Sequence, residues 1–115
     1  MNFYFDKVRS NFARCGGLEL IEETAALASN TDLKSLQKVL RSISWASRPV
    51  EILNAIKRSK ISHDLKVKIV TTETKLNNFA NNTTTFHPES DEKSVLAMLL
   101  FVYLSGVYDL LSFRS

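Results

Sequence analysis

The sequence predicts an all-α fold, a compact bundle of five or six helices around a hydrophobic C-terminal helix, and three observations carry that expectation. Apolar residues recur at three- and four-residue steps through most of the 115-residue chain, the spacing that lines one face of a helix. Only three Gly and two Pro interrupt it. Near the end, Val95 to Leu104 form ten consecutive apolar residues, and apolar character on every face implies burial on every face. With 44% apolar residues, this length suits one helical domain over residues 1–115 with a single continuous core.

The elements follow in order. Phe5, Val8, Phe12 and Cys15 share a face of a first helix, which Gly16 and Gly17 end. A second helix is expected from about Leu18 to Ser29, with Ile21 or Leu20, Thr24 or Ala25, and Ala28 inward. Glu19, Glu22 and Glu23 load its first turns, where the helix dipole favours anions. Thr31 is the expected N-cap of the third helix, whose core side carries Leu33, Leu36, Val39, Leu40 and Ile43. Lys34, Lys38 and Arg41 fall on the opposite side.

Ser42, Ser44 and Ser47 weaken the end of that helix, and Pro49 suits the first position of the next, which carries Val50, Ile52, Leu53 and Ile56. Ser62 is placed to cap a fifth helix reaching about Asn78 or Ala80, with Leu65, Ile69, Thr72, Leu76 and Phe79 inward and Val67 and Val70 widening the face. The polar stretch Asn81 to Thr85 is expected to be a loop. In the last helix, Asp109 interrupts the apolar run and leaves it shorter than a membrane span, so membrane insertion is not expected. Ser105-Gly106 offers a kink or a close approach. A homo-oligomer contact is an alternative use of this helix.

The charge is unevenly distributed. Residues 31 to 70 hold nine of the fifteen Lys and Arg against three acidic residues, while the formal net charge of the whole chain is +3. Such a zone attracts an acidic protein surface or a nucleic acid. Its residues Lys34, Lys38, Arg41, Arg48, Lys57, Arg58 and Lys60 are candidate partner contacts. Trp45 joins them as an apolar anchor if the third helix runs on past Arg41.

Motifs for chemistry are sparse. His63 and His87 are far apart in sequence, and neither belongs to a zinc-protease or Glu-x-x-His pattern. Cys15 closes an apolar stripe and is expected to be a buried thiol; a single cysteine also suits a reducing, cytoplasmic setting. Gly16-Gly17 lacks the Lys-Ser/Thr that completes a phosphate loop. No catalytic, metal or cofactor residue is therefore assigned.

The function expected is non-enzymatic: binding another protein and inhibiting or regulating it, with immunity or antitoxin proteins as concrete examples of small inhibitors. One alternative is a nucleic-acid-binding regulator using the basic face of residues 34–68. Another is a small enzyme with a His/carboxylate site assembled by the fold.

Overall fold

The computed structural model describes residues 3–44, 46–86 and 92–114. Among them are six helices and no strand: α1 (Phe3–Phe12), α2 (Leu18–Ala25), α3 (Asn30–Ser42), α4 (Pro49–Arg58), α5 (His63–Phe86) and α6 (Glu92–Arg114). The bundle measures 40 × 27 × 25 Å, and α6 packs against each of the other five helices.

Its role follows from its side chains. Val95 through Leu100, then Tyr103, Leu104 and Val107, are all buried, so the helix has no apolar stripe because it has almost no outside along that length. Around it α1 contributes Val8 and Phe12, α2 Ile21 and Ala25, α3 Leu36 and Val39, α4 Ile52 and Ile56, and α5 Leu65, Ile69 and Leu76. Phe12 also meets Phe79 edge-on, with ring centroids 6.4 Å apart.

Within the 20-residue stretch Val95–Arg114 an 18-residue window reaches a mean hydropathy of 1.9, enough by length and composition to cross a membrane, contrary to the shorter span expected. Half of that window is buried inside the fold. The difference arises because Ser105, Gly106 and Asp109 divide the apolar run but leave the average of the whole stretch strongly apolar.

Between α1 and α2 the helical winding widens and breaks. Cys15 leaves helical geometry (φ −100°, ψ 28°), and Gly16 takes φ +94°, a left-handed conformation available to glycine at little cost. A Cβ on Gly17 would overlap the Phe12 ring. This break corrects the expected burial of Cys15, whose side chain is exposed, because the helical phase that placed it beside Phe12 stops where its own backbone turns. At the other end α6 stays helical through Gly106, where a Cβ would collide with Ile21. The glycine lets α2 press against the hub.

Three further corrections concern helix limits and faces. α3 starts at Asn30, with Ser29 rather than Thr31 as N-cap: the Ser29 N–H donates to Asp32 Oδ2 at 2.8 Å, the carboxylate half of a capping box. α5 continues through the expected loop at 81–85 to Phe86. Asn and Thr disfavour a helix by only about 0.7 kcal/mol each relative to Ala, and extending an existing helix needs no new nucleus. Val50, Val67 and Val70 point outward, being 58%, 50% and 38% exposed. Each lies one or two positions off the stripe that α6 covers, and no second layer of helices reaches them.

Two polar groups are buried with their partners. Thr24 donates to the Leu20 carbonyl at 2.8 Å, which leaves its oxygen to accept from the Tyr103 phenol. Thr72, whose hydroxyl donates to Lys68 O at 2.7 Å, adds its oxygen to the surroundings of the Tyr103 phenol. Burial pushes the Tyr103 phenol above its ordinary range against the opposing effect of the two threonine hydroxyls, and the charge of Glu23 adds to the rise. α2, α5 and α6 are thus joined at one hydroxyl cluster. The second buried group, Asp32, belongs to the neighbourhood of the basic face.

Candidate partner-binding face

The basic face begins with α3. Its apolar positions turn Leu36 and Val39 toward α6, which leaves Lys34, Lys38 and Arg41 exposed on the far side. α3 ends at Ser42 because Ile43 adopts an extended backbone (φ −125°, ψ 168°). Serines then hold the connection, with the Ser44 N–H donating to Ser47 Oγ at 2.8 Å and the Ala46 N–H to Ser44 Oγ at 3.2 Å. The helical count that aligned Trp45 with Arg41 therefore does not apply, and Trp45 itself lies outside the described residues.

α4 starts at Pro49, whose missing N–H is no loss at a first helical position, and returns alongside α3. Its last turn brings Arg58 and the following Ser59 and Lys60 back toward Lys38. Together with Ser35, Val39, Ser42 and Ala55 they line a groove of about 370 Å³. Ala55 and the edge of the almost buried Val39 form its apolar floor, three cations and three serines line the rest, and no acidic side chain among the described residues does.

Two of the serines are already engaged. Ser42 donates to Val39 O at 2.8 Å and Ser59 to Ile56 O at 2.6 Å, so their hydroxyl protons are directed into the protein. The charged hydrogen-bond donors of the groove are Lys38, Arg58 and Lys60, and none of them forms an ion pair among the described residues.

The remaining expected contacts are spread more widely. Lys34 and Arg41 share the exposed side of α3 but lie outside the groove lining, as does the exposed Lys57, whose carbonyl accepts from Lys66 Nζ at 3.0 Å. Arg48 stands at the other end of α4 and pairs with Glu51 at 3.4 Å. Lys68 pairs with Glu23 at 3.1 Å. The basic zone of the sequence therefore divides into cations with internal partners and cations without.

Asp32 positions one wall of this site. It is 1% exposed and accepts four hydrogen bonds: from Ser29 N–H at 2.8 Å, Ser29 Oγ at 3.2 Å, Ser62 N–H at 2.8 Å and Ser62 Oγ at 3.0 Å. Burial by itself works against the charged form, but the hydrogen bonds from Ser29 and Ser62 outweigh it and hold the carboxyl below its ordinary value. Ser62 was expected to cap α5 with its side chain; its hydroxyl instead turns to Asp32. The effect is to tie the start of α3 to the connection carrying Ser59 and Lys60.

Sequence reasoning found the groove cations but missed Asp32 as their support. The Ser29-x-x-Asp32 spacing was a readable signal of the cap, whereas the bonds to Ser62, thirty residues on, had none. The serines of the groove likewise become visible only once α3 and α4 lie side by side.

The candidates for chemistry do not assemble. His63 is exposed at the start of α5, and His87 lies outside the described residues. Among the described residues, no three His, Cys, Asp or Glu side chains gather where a metal ion would bind. The α6 tyrosines are engaged within the fold, Tyr103 with Thr24, and Tyr108 Oη accepting from the Gln37 amide at 3.1 Å.

No protein-family model, curated protein or solved structure matches the chain.

Proposed function

We propose that this protein is a non-enzymatic binding module that docks its α3–α4 face on an acidic surface of another protein and regulates or inhibits that partner by covering it. One observation carries the reading: Lys38, Arg58 and Lys60 converge on a concave surface where, among the described residues, no acidic side chain lies and none pairs with them. Lys34 and Arg41 extend the positive potential along α3, where exposed charges steer encounter more than they strengthen the final complex. Inhibition would be steric and needs no chemistry from the chain. An immunity-type or antitoxin-type inhibitor acting in the cytoplasm is the concrete form of this proposal.

The test is affinity capture of the intact protein from its native lysate under nuclease treatment, alongside the variant Lys38→Glu/Arg58→Glu/Lys60→Glu. A stoichiometric protein partner that the variant loses, and whose association rate falls with salt, is the expected result. Recovery of nucleic acid in place of protein when nuclease is omitted would replace this reading with phosphate binding.

A further inference from the structure

We propose that the α3–α4 groove receives a short acidic peptide segment of the partner, with one aliphatic side chain set against Val39 and Ala55 and flanking carboxylates on Lys38, Arg58 and Lys60. This rests on the preceding reading and adds the place and form of contact: a segment entering a groove instead of two flat surfaces meeting.

The size of the groove argues for a segment. At about 370 Å³ it sits near the lower end of the roughly 300–1,000 Å³ typical of ligand sites, enough for a few side chains and too little for a packed helix. Its composition argues for the occupant's chemistry. An apolar floor under unpaired cations matches an aliphatic group between carboxylates, because each part of such a segment finds its complement and no charge is buried without a partner. Arg58 offers a carboxylate two parallel N–H groups, and the two lysines act as compact positive charges.

The serines refine the choice. With the protons of Ser42 and Ser59 committed to backbone carbonyls, a neutral polar ligand finds few donors here, whereas an anion finds three cations. A nucleic acid is less well served: among the described residues no aromatic lines the groove to stack a base, and phosphates would follow the row Lys34, Lys38, Arg41 along α3 without entering the groove. The wall is also prepared in advance. Asp32 holds Ser62 by both backbone and side chain, so the connection bearing Lys60 is ordered before any ligand arrives, and this lowers the entropy lost on binding.

The experiment is an amide-resolved NMR titration of the intact protein with a blocked pentapeptide, one leucine between two pairs of glutamates. Controls replace the leucine by glycine or the glutamates by glutamine, and a single-stranded oligonucleotide of equal charge is titrated in parallel. Saturable shifts centred on Ser35, Val39, Ser42, Ala55 and Ser59 are expected. Glutamine substitution should weaken binding by about tenfold or more, and glycine substitution by a smaller factor of about threefold.

Lys38→Glu/Arg58→Glu/Lys60→Glu, with an unchanged helical circular-dichroism spectrum, should abolish the shifts. If the leucine and glycine peptides bind equally and the shifts follow Lys34 and Arg41, the groove proposal is overturned while the acidic-partner reading stands. No saturable shift with any peptide, together with binding of the oligonucleotide, would overturn both.

Discussion

The hydroxyl cluster around Tyr103 and the groove around Lys38 treat polar groups in opposite ways. Inside the bundle, the Tyr103 phenol is bonded to Thr24 with Thr72 beside it, and each threonine donates to a carbonyl of its own helix. On the groove, three cations gather with no counter-ion among the described residues, although Arg48 and Lys68 elsewhere on the molecule do have acidic partners. The contrast reflects what each setting penalises. A buried hydroxyl without a partner loses water and gains nothing, a cost of about 1–3 kcal/mol, whereas a hydrated lysine is stable alone. Internal polar groups are thus resolved by folding itself, and the groove cations are left for something outside the chain to resolve.

This contrast can be broken from the inside first. Leu100→Ala removes a fully buried side chain from the hub and should lower unfolding free energy by about 3 kcal/mol, measured by urea denaturation. Asp32→Ala comes next, at about 2–3 kcal/mol, since it strands the backbone donors of Ser29 and Ser62.

The same residue sets an acid dependence. Because its folded carboxyl ionises below its ordinary value, its stabilisation is complete above the unfolded pKa of about 4 and is lost as pH falls through the folded one. Denaturation midpoints between pH 5 and pH 2 should therefore fall less steeply in Asp32→Asn than in the parent; equal slopes would remove the carboxylate from its assigned role.

Gly106→Ala should cost about 1–3 kcal/mol through collision with Ile21, and Ile21→Ala should recover part of that loss in the double variant. Tyr103→Phe, which leaves the aromatic ring in place, should cost about 1 kcal/mol. At the bottom of the scale, Lys38→Glu or Lys60→Glu should change stability by less than about 0.5 kcal/mol while removing partner binding. A large loss of stability in either would show that the groove cations serve the fold after all.

The sequence was most readable where one face of a helix meets one neighbour. α3 separates Leu36 and Val39 from Lys34 and Lys38 by periodicity alone, and the ten-residue apolar run marked α6 as the hub before any contact was known. It was least readable where the backbone leaves its regular path. Cys15 lost its phase at a break that Gly16 makes possible, and the register proposed for Trp45 ended when Ile43 became extended. Val67 and Val70 show a different limit: apolar character predicts burial only as far as neighbours exist to provide it. The candidate site was half legible, because charge runs along the chain while a groove depends on two helices lying together. Lys38, Arg58 and Lys60 belonged to the basic zone from the start; what joins them is the return of α4 and the Asp32 tie, set by contacts between residues thirty apart.

The position of α6 in the order of synthesis carries a consequence for how the molecule is made. All five of its partners precede it in the chain, so a ribosome has delivered α1 to α5 before the surface on which they pack exists. Their apolar stripes must wait, and contacts such as Val8 with the hub close loops of some ninety residues, which makes them slow for a helical protein. A nascent chain arrested before residue 92 would hold five amphipathic helices without a common core, a species suited to chaperone capture and prone to aggregation. Folding should accordingly be a late, concerted event that begins when the C-terminal segment leaves the exit tunnel.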